Sequence, residues 1–134
     1  MGQKGARENP IYVLPSQAED TLQVVVLKYH QAIQDRDESA VKSLLQDQVD
    51  YYKSGKVPMR DVMADIKGDW KRYSNTTYQV SDFQKIDEFT CRYVLDYEVV
   101  QGAKIRKEKL AMTAKVSIPD QKISAIKAIV VKAE

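Results

Sequence analysis

Thiol and imidazole groups are nearly missing from this chain, whose 134 residues include one cysteine, Cys91, and one histidine, His30. A lone cysteine forms no intrachain disulfide and builds no thiolate zinc cluster. Set within the alternating apolar run from Thr90 to Val100, Cys91 reads as a small buried hydrophobe rather than a nucleophile. His30 falls on a predicted helix, and without a second histidine a metal site would need carboxylates; neither a metal nor a cofactor is expected. No apolar stretch approaches the roughly 18 residues of a membrane span, so no membrane insertion is expected. Charge of one sign is not in excess either: 21 basic and 19 acidic residues leave +2, which favours neither nucleic acid nor an anionic membrane as partner. A neutral or small partner fits better.

What is present is the composition of an ordinary globular domain, with 43% hydrophobic residues, enough for one core at this length. Residues 1–15, with two glycines and two prolines and lacking the apolar centre of a secretion signal, are expected to be a flexible lead-in to a single domain over residues 16–134. Such a lead-in is compatible with a longer parent chain, and the compartment stays open. Ser16 to Glu19 forms an S-x-x-E capping box. Leu22, Val25, Val26, Tyr29 and Ile33 then recur at spacings of three and four, which predicts a helix to about Arg36. Asp37 is placed to cap a short second helix carrying Val41, Leu44 and Leu45.

Gln48 to Tyr52 alternates as a strand, and Lys53, Ser54 and Gly55 supply a turn. Pro58 suits the first position of a third helix lined by Val62, Ile66, Trp70 and Tyr73, with a close contact or mild bend expected at Gly68. Strands follow: short ones at Thr76–Val80 and Phe83–Ile86, then long ones at Thr90–Val100, Ile105–Ile118 and Ile123–Val131, joined by tight turns. Ten-residue strands span roughly 33 Å, long enough for the sheet to bend. The expected fold is α+β, with three N-terminal helices packed on the concave face of a strongly bent, mostly antiparallel sheet, a cone or half-barrel.

The run from Asp50 to Tyr78 carries a family resemblance. Asp50, Tyr51 and Tyr52 end a strand, Gly55, Lys56 and Val57 make a turn, Asp61, Val62, Asp65 and Lys67 lie on a helix, and Trp70, Lys71, Arg72 and Tyr73 precede a strand with Tyr78. In this pattern and in its element order, the chain resembles the nuclear transport factor 2-like superfamily, of cystatin-like fold, which includes SnoaL-like and ketosteroid isomerase-like proteins. The local pattern is similar to that of a bacterial branch. Pro58, Met59, Tyr73 and Ser74 depart from it. The resemblance spans about Ser16 to Val131.

Relatives of the ketosteroid isomerase type imply a carboxylate base on the first strand. The matching position here is near Lys53, its inward neighbour is Tyr51, and Asp50 lies on the opposite face, so that chemistry is not expected. Epoxide hydrolase-like chemistry on this fold implies paired carboxylates with an arginine between. Arg92, Asp96 and Glu98 share the outward parity of their strand, whereas Arg106 and Glu108 share parity with Leu110 and Met112 and would face the pocket mouth. No catalytic residue is assigned. The pocket candidates are Tyr29, Tyr51, Lys53, Trp70, Tyr73, Tyr93, Tyr97 and Met112, because tyrosine and tryptophan join large apolar faces to a polar edge. The expected function is a non-catalytic module that binds a small apolar or aromatic ligand, or acts in assembly, as a homodimer through the outer sheet face. The alternative is a small isomerase, hydratase or cyclase using a pocket carboxylate.

Overall fold

The computed structural model describes residues 20–133, so the Ser16–Glu19 capping box and residues 1–15 lie outside the described residues. The apolar stripe forms α1 (Asp20–Gln34) and is buried at all five of its positions. Asp37 caps α2 (Glu38–Ser43) by accepting from the Ala40 amide at 3.1 Å. This helix ends earlier than the apolar spacing implies. Leu45 instead opens β1 (Leu45–Tyr51), where it pairs with Ile123, and the Ile123 amide donates to the Leu44 carbonyl at 2.8 Å. A pairing across the whole domain overrides the local period.

Tyr52–Ser54 make one tight 3₁₀ turn, Gly55 takes a φ of 76°, and Lys56–Pro58 return as a short β2 before α3 (Met59–Arg72). Pro58 therefore precedes the helix instead of starting it, because it is paired with Gln48 of β1. The contact expected at Gly68 is not found, since an added Cβ would meet nothing within 4 Å. Arg36, in the left-handed region at φ 58°, donates to the carbonyls of Trp70 and Tyr73, both at 2.7 Å, and the Trp70 indole donates to the Ile33 carbonyl at 3.0 Å. Carbonyls of a last helical turn lack intrahelical partners, so α1 and α3 close each other's ends and fix Trp70 between them.

The two short strands expected after α3 are a single β3 (Asn75–Lys85), kinked where Asp82 takes φ 52° and the register slips between Ser81 and Gln84. Next come β4 (Thr90–Gln101), β5 (Lys104–Ser117) and β6 (Lys122–Ala133). The sheet order is β2-β1-β6-β5-β4-β3, antiparallel throughout except for the parallel β1–β6 pair, and its ends do not join. The architecture is thus α+β, three helices against a six-stranded open sheet. In β4 the parity holds as expected: Cys91, Tyr93, Leu95 and Val99 are buried. Strands β1 and β3 stand four places apart, about 19 Å if the sheet were flat. Both nevertheless reach one hollow, so the sheet curls around it. Register slips in β5–β6 at Lys109/Leu110 and Lys115/Val116 supply local bending.

Candidate functional site

The hollow enclosed by α1, α3 and the sheet has a volume of about 390 Å³. Helix α1 contributes Tyr29, His30 and Ile33; α3 contributes Asp65, Ile66, Asp69, Trp70 and Arg72, with Tyr73 just beyond. Opposite them stand Tyr51 and Tyr52, then Tyr78 of β3, Tyr97 of β4, and Arg106 and Glu108 of β5. The structure thus brings Tyr29, Tyr51, Trp70, Tyr73, Tyr97, Arg106 and Glu108 together. An unbroken β4–β5 register, with Tyr97 facing Glu108 and Val99 facing Arg106, turns the last two inward.

Three candidates lie elsewhere. Tyr93 is buried behind His30, with its ring stacked near Phe83 at 6.5 Å, and Met112 is part of the core at 1% exposure. Lys53 is exposed and lines a second, more open hollow with Asp61 and Lys127. Tyr51, Tyr52, Asp65 and Ala128 belong to both hollows and form the wall between them. Tyr52 holds a φ of 49°, a strained value for a bulky side chain. Lys127 keeps it there, donating to the Tyr52 carbonyl at 2.7 Å and to Asp50 at 2.6 Å.

Polar groups are unevenly distributed. At the mouth, the Tyr51 hydroxyl donates to Asp65 at 2.6 Å, the Tyr97 hydroxyl donates to Glu108, Arg72 donates to Asp69 at 2.8 Å, and Arg106 donates to the Tyr73 hydroxyl at 3.1 Å. Burial raises the proton affinity of Asp69 and the nearby Asp65 charge adds to it, against the opposing pull of Arg72 and Arg106. Deeper in, burial pushes the Tyr29, Tyr52 and Tyr78 phenols well above their ordinary range, so they stay protonated. Tyr97 is pushed up to about 12, by burial first and then by its bond to Glu108. His30 is lowered to about 3 by burial and is neutral. Cys91 is raised to about 11 by burial, which leaves it an inert thiol. Among the described residues, the hollow therefore has a phenol-rich interior with a neutral imidazole and a rim of acidic and basic side chains.

His30, Asp65 and Asp69 were not among the sequence-derived pocket residues. The two acids were findable: positions 65 and 69 flank Ile66 and Trp70 on the same stripe of α3. Nothing local distinguishes His30 from a core histidine.

No family model matches the chain, and no curated protein does so. Solved structures do. An epoxide hydrolase/cyclase-like enzyme, SalBIII, active in pyran ring formation in the polyether salinomycin, superposes with a TM-score of 0.73 at 12% identity over 86% of this chain and 94% of its own. A SnoaL-like polyketide cyclase from Agrobacterium tumefaciens gives 0.72 at 9% identity, covering 83% and 91%. An NTF2-like protein of unknown function from Exiguobacterium gives 0.68 at 10% identity, covering 79% and 97%.

Proposed function

On the nuclear transport factor 2-like, SnoaL-like fold that this chain adopts, we propose that the hollow binds a small, mainly apolar ring compound and that the protein is a binding module without catalysis. The observation that carries this reading is the hollow's interior: tyrosine rings and Trp70 on facing walls and, among the described residues, protonated phenols and a neutral imidazole at its depth. Flat apolar faces with protonated phenols at their edges suit a ring with one or two polar atoms. Trp70 is the only tryptophan, so its emission reports directly on the hollow. Titration with the bicyclic hydrocarbon tetralin and its ketone, 1-tetralone, is expected to give a saturable change with a dissociation constant of roughly 0.1–1 mM, the ordinary range for ligands of this size. Emission unchanged up to the solubility limit of both probes would sink the binding reading.

The second reading, a small enzyme, is favoured by Asp69. A carboxyl of raised proton affinity at a pocket rim is a candidate proton donor or acceptor for isomerisation, hydration or ring closure. Chromatography of the same titration mixtures separates the two readings: recovery of unchanged tetralone fits a binder, and conversion that Asp69→Asn abolishes would establish the enzyme.

The outer sheet face supports a homodimer. Val94, Ala111 and Ile129 lie side by side across β4, β5 and β6, with Ile129 at 73% exposure, and Ile105 beside Val100 extends the apolar surface. Asp96 and Glu98 project from β4 on this face, and Lys107, Lys109 and Lys115 from β5. Asp96 is paired with Lys109 at 3.7 Å within the same copy and Glu98 faces Lys107 in register, so the face carries balanced charge, which suits a second copy better than a partner of one charge sign. Sedimentation at micromolar concentration should show a dimer that Ile129→Lys dissociates. Monomer at every concentration would rule this out.

A further inference from the structure

Two hollows meet at one wall. The first, between α1, α3 and the sheet, has a volume of about 390 Å³, and the second, lined by Lys53, Ser54, Asp61 and Lys127, one of about 610 Å³. Tyr51, Tyr52, Asp65 and Ala128 stand between them. The rings of Tyr51 and Tyr52 meet edge to face, with centroids 4.6 Å apart, but the two are held differently. Tyr51 is tied at its tip, where its hydroxyl donates to Asp65 at 2.6 Å. Tyr52 is held through its main chain: the Lys127 ammonium donates to its carbonyl at 2.7 Å and to Asp50 at 2.6 Å.

A left-handed φ of 49° is ordinarily a place for glycine or asparagine, because a bulky side chain crowds its own backbone there. Strain of this kind points to a task for the side chain that bears it, and the Tyr52 ring closes the space between the hollows. The turn is pinched at its base, since the Tyr51 amide donates to the Gly55 carbonyl at 2.9 Å and Asp50 stays in register with Lys56. Residues 52–54 are therefore able to change conformation without unpairing β1 from β2. Opening would break one charge-assisted hydrogen bond and release the backbone strain, two quantities of similar size.

We propose that Tyr52 is a gate, latched shut by Lys127, and that the second hollow is an extension of the ligand site behind it. The proposal rests on the binding reading above and adds the ligand's shape: a ring in the first hollow and a short flexible chain in the second, ending in a hydroxyl. Lys53 and Lys127 offer donors there, and Asp61 and Asp65 offer acceptors. An uncharged group that both donates and accepts fits walls of mixed sign better than an ion of either sign. Lys127 acts as a positioning residue: it lines the second hollow, yet it sets the backbone of a side chain that both hollows share.

Two variants and two probes test this. Lys127→Met keeps most of the side chain's length and removes the latch, whereas Tyr52→Gly removes the gate and leaves a residue that adopts the left-handed turn freely. The crystal structure of Lys127→Met is expected to show residue 52 outside the left-handed region and the two hollows continuous. In solution, Trp70 emission compares tetralin with tetralin carrying a hydroxybutyl chain on its aromatic ring. The two probes should bind the unmodified protein about equally, because reaching the second hollow means breaking the latch. In both variants the tailed probe should gain about 10-fold over tetralin, one hydrogen bond's worth of selectivity. Residue 52 still left-handed and the hollows still separate in Lys127→Met overturns the gate. An unchanged affinity ratio in both variants overturns the extension, and tetralin binding then leaves the pocket reading standing. If neither probe binds any of the three proteins, the pocket reading and the extension fall together, and the crystal structure alone decides the gate.

Discussion

Between about pH 7 and pH 5 the folded state is expected to lose about 2 kcal/mol through His30 alone, and about 4 kcal/mol by pH 3. Burial holds the imidazole at about 3 in the folded chain, against the ordinary value of 6.5 when unfolded. In that interval the unfolded chain binds a proton that the folded chain refuses, so acidification favours unfolding. The stabilisation is complete above the unfolded value and drains away as pH falls toward the folded one. Other groups act differently. Asp69, whose proton affinity is raised by folding, contributes in the opposite direction, and Asp87 and Asp120, lowered by their hydrogen bonds, weaken the fold only below the ordinary aspartate range. Denaturant midpoints for the unmodified protein and His30→Gln, measured across this window, isolate the term: the variant's stability should be much flatter with pH. Parallel slopes would show that His30 protonates freely in the folded state.

That expectation also bears on the pocket. His30 stays neutral because Tyr29, Tyr78 and Tyr93 surround it with rings and bury it. The same enclosure keeps the ring neutral, whereas a solvated histidine would switch charge near neutral pH.

Much of this was legible in sequence where the signal is periodic. The stripe from Leu22 to Ile33, the alternation of β4 and the inward turn of Arg106 and Glu108 follow from spacings of 3.6 and 2, which hold along any one element, and the cap at Asp37 follows from the preference of aspartate for a helix start. The parallel β1–β6 pair has no local signature, because Leu45 meets Ile123 only once the chain has closed on itself, and so Leu44 and Leu45 read as helix. The left-handed residue Asp82 resembled a break in β3 because a kink and a turn use the same conformations. Lys53 was expected in the pocket by continuing strand alternation past Tyr51. The left-handed turn at Tyr52 ends that alternation and carries Lys53 out to the second hollow. Asp65 and Asp69 were absent from the expected pocket because apolar residues alone defined the inward face of α3, although both share the stripe of Ile66 and Trp70.

Ile126→Ala is expected to cost about 2–5 kcal/mol, a large part of the roughly 5–15 kcal/mol that holds a domain of this kind together. Ile126 is fully buried on β6, in register with Tyr51 of β1 on one side and with Ala114 of β5 on the other. Ala114 is too small to fill the space left by truncation. Tyr51 is tied at its far end by the bond from its hydroxyl to Asp65, so collapse into the cavity would require breaking that bond or leaving the space empty. Either outcome is costly, and the first also moves a wall shared by both hollows. Tetralin affinity, read from Trp70 emission at temperatures where the variant is folded, should therefore fall along with stability. Ile129→Ala, three residues further along the same strand and 73% exposed, is the matched control and should stay within about 0.5 kcal/mol when both are measured at concentrations that keep the chain monomeric. Equal costs for the two substitutions would mean that the β1–β6 junction is not packed as the register implies, and the pocket wall it supports would lose its footing with it.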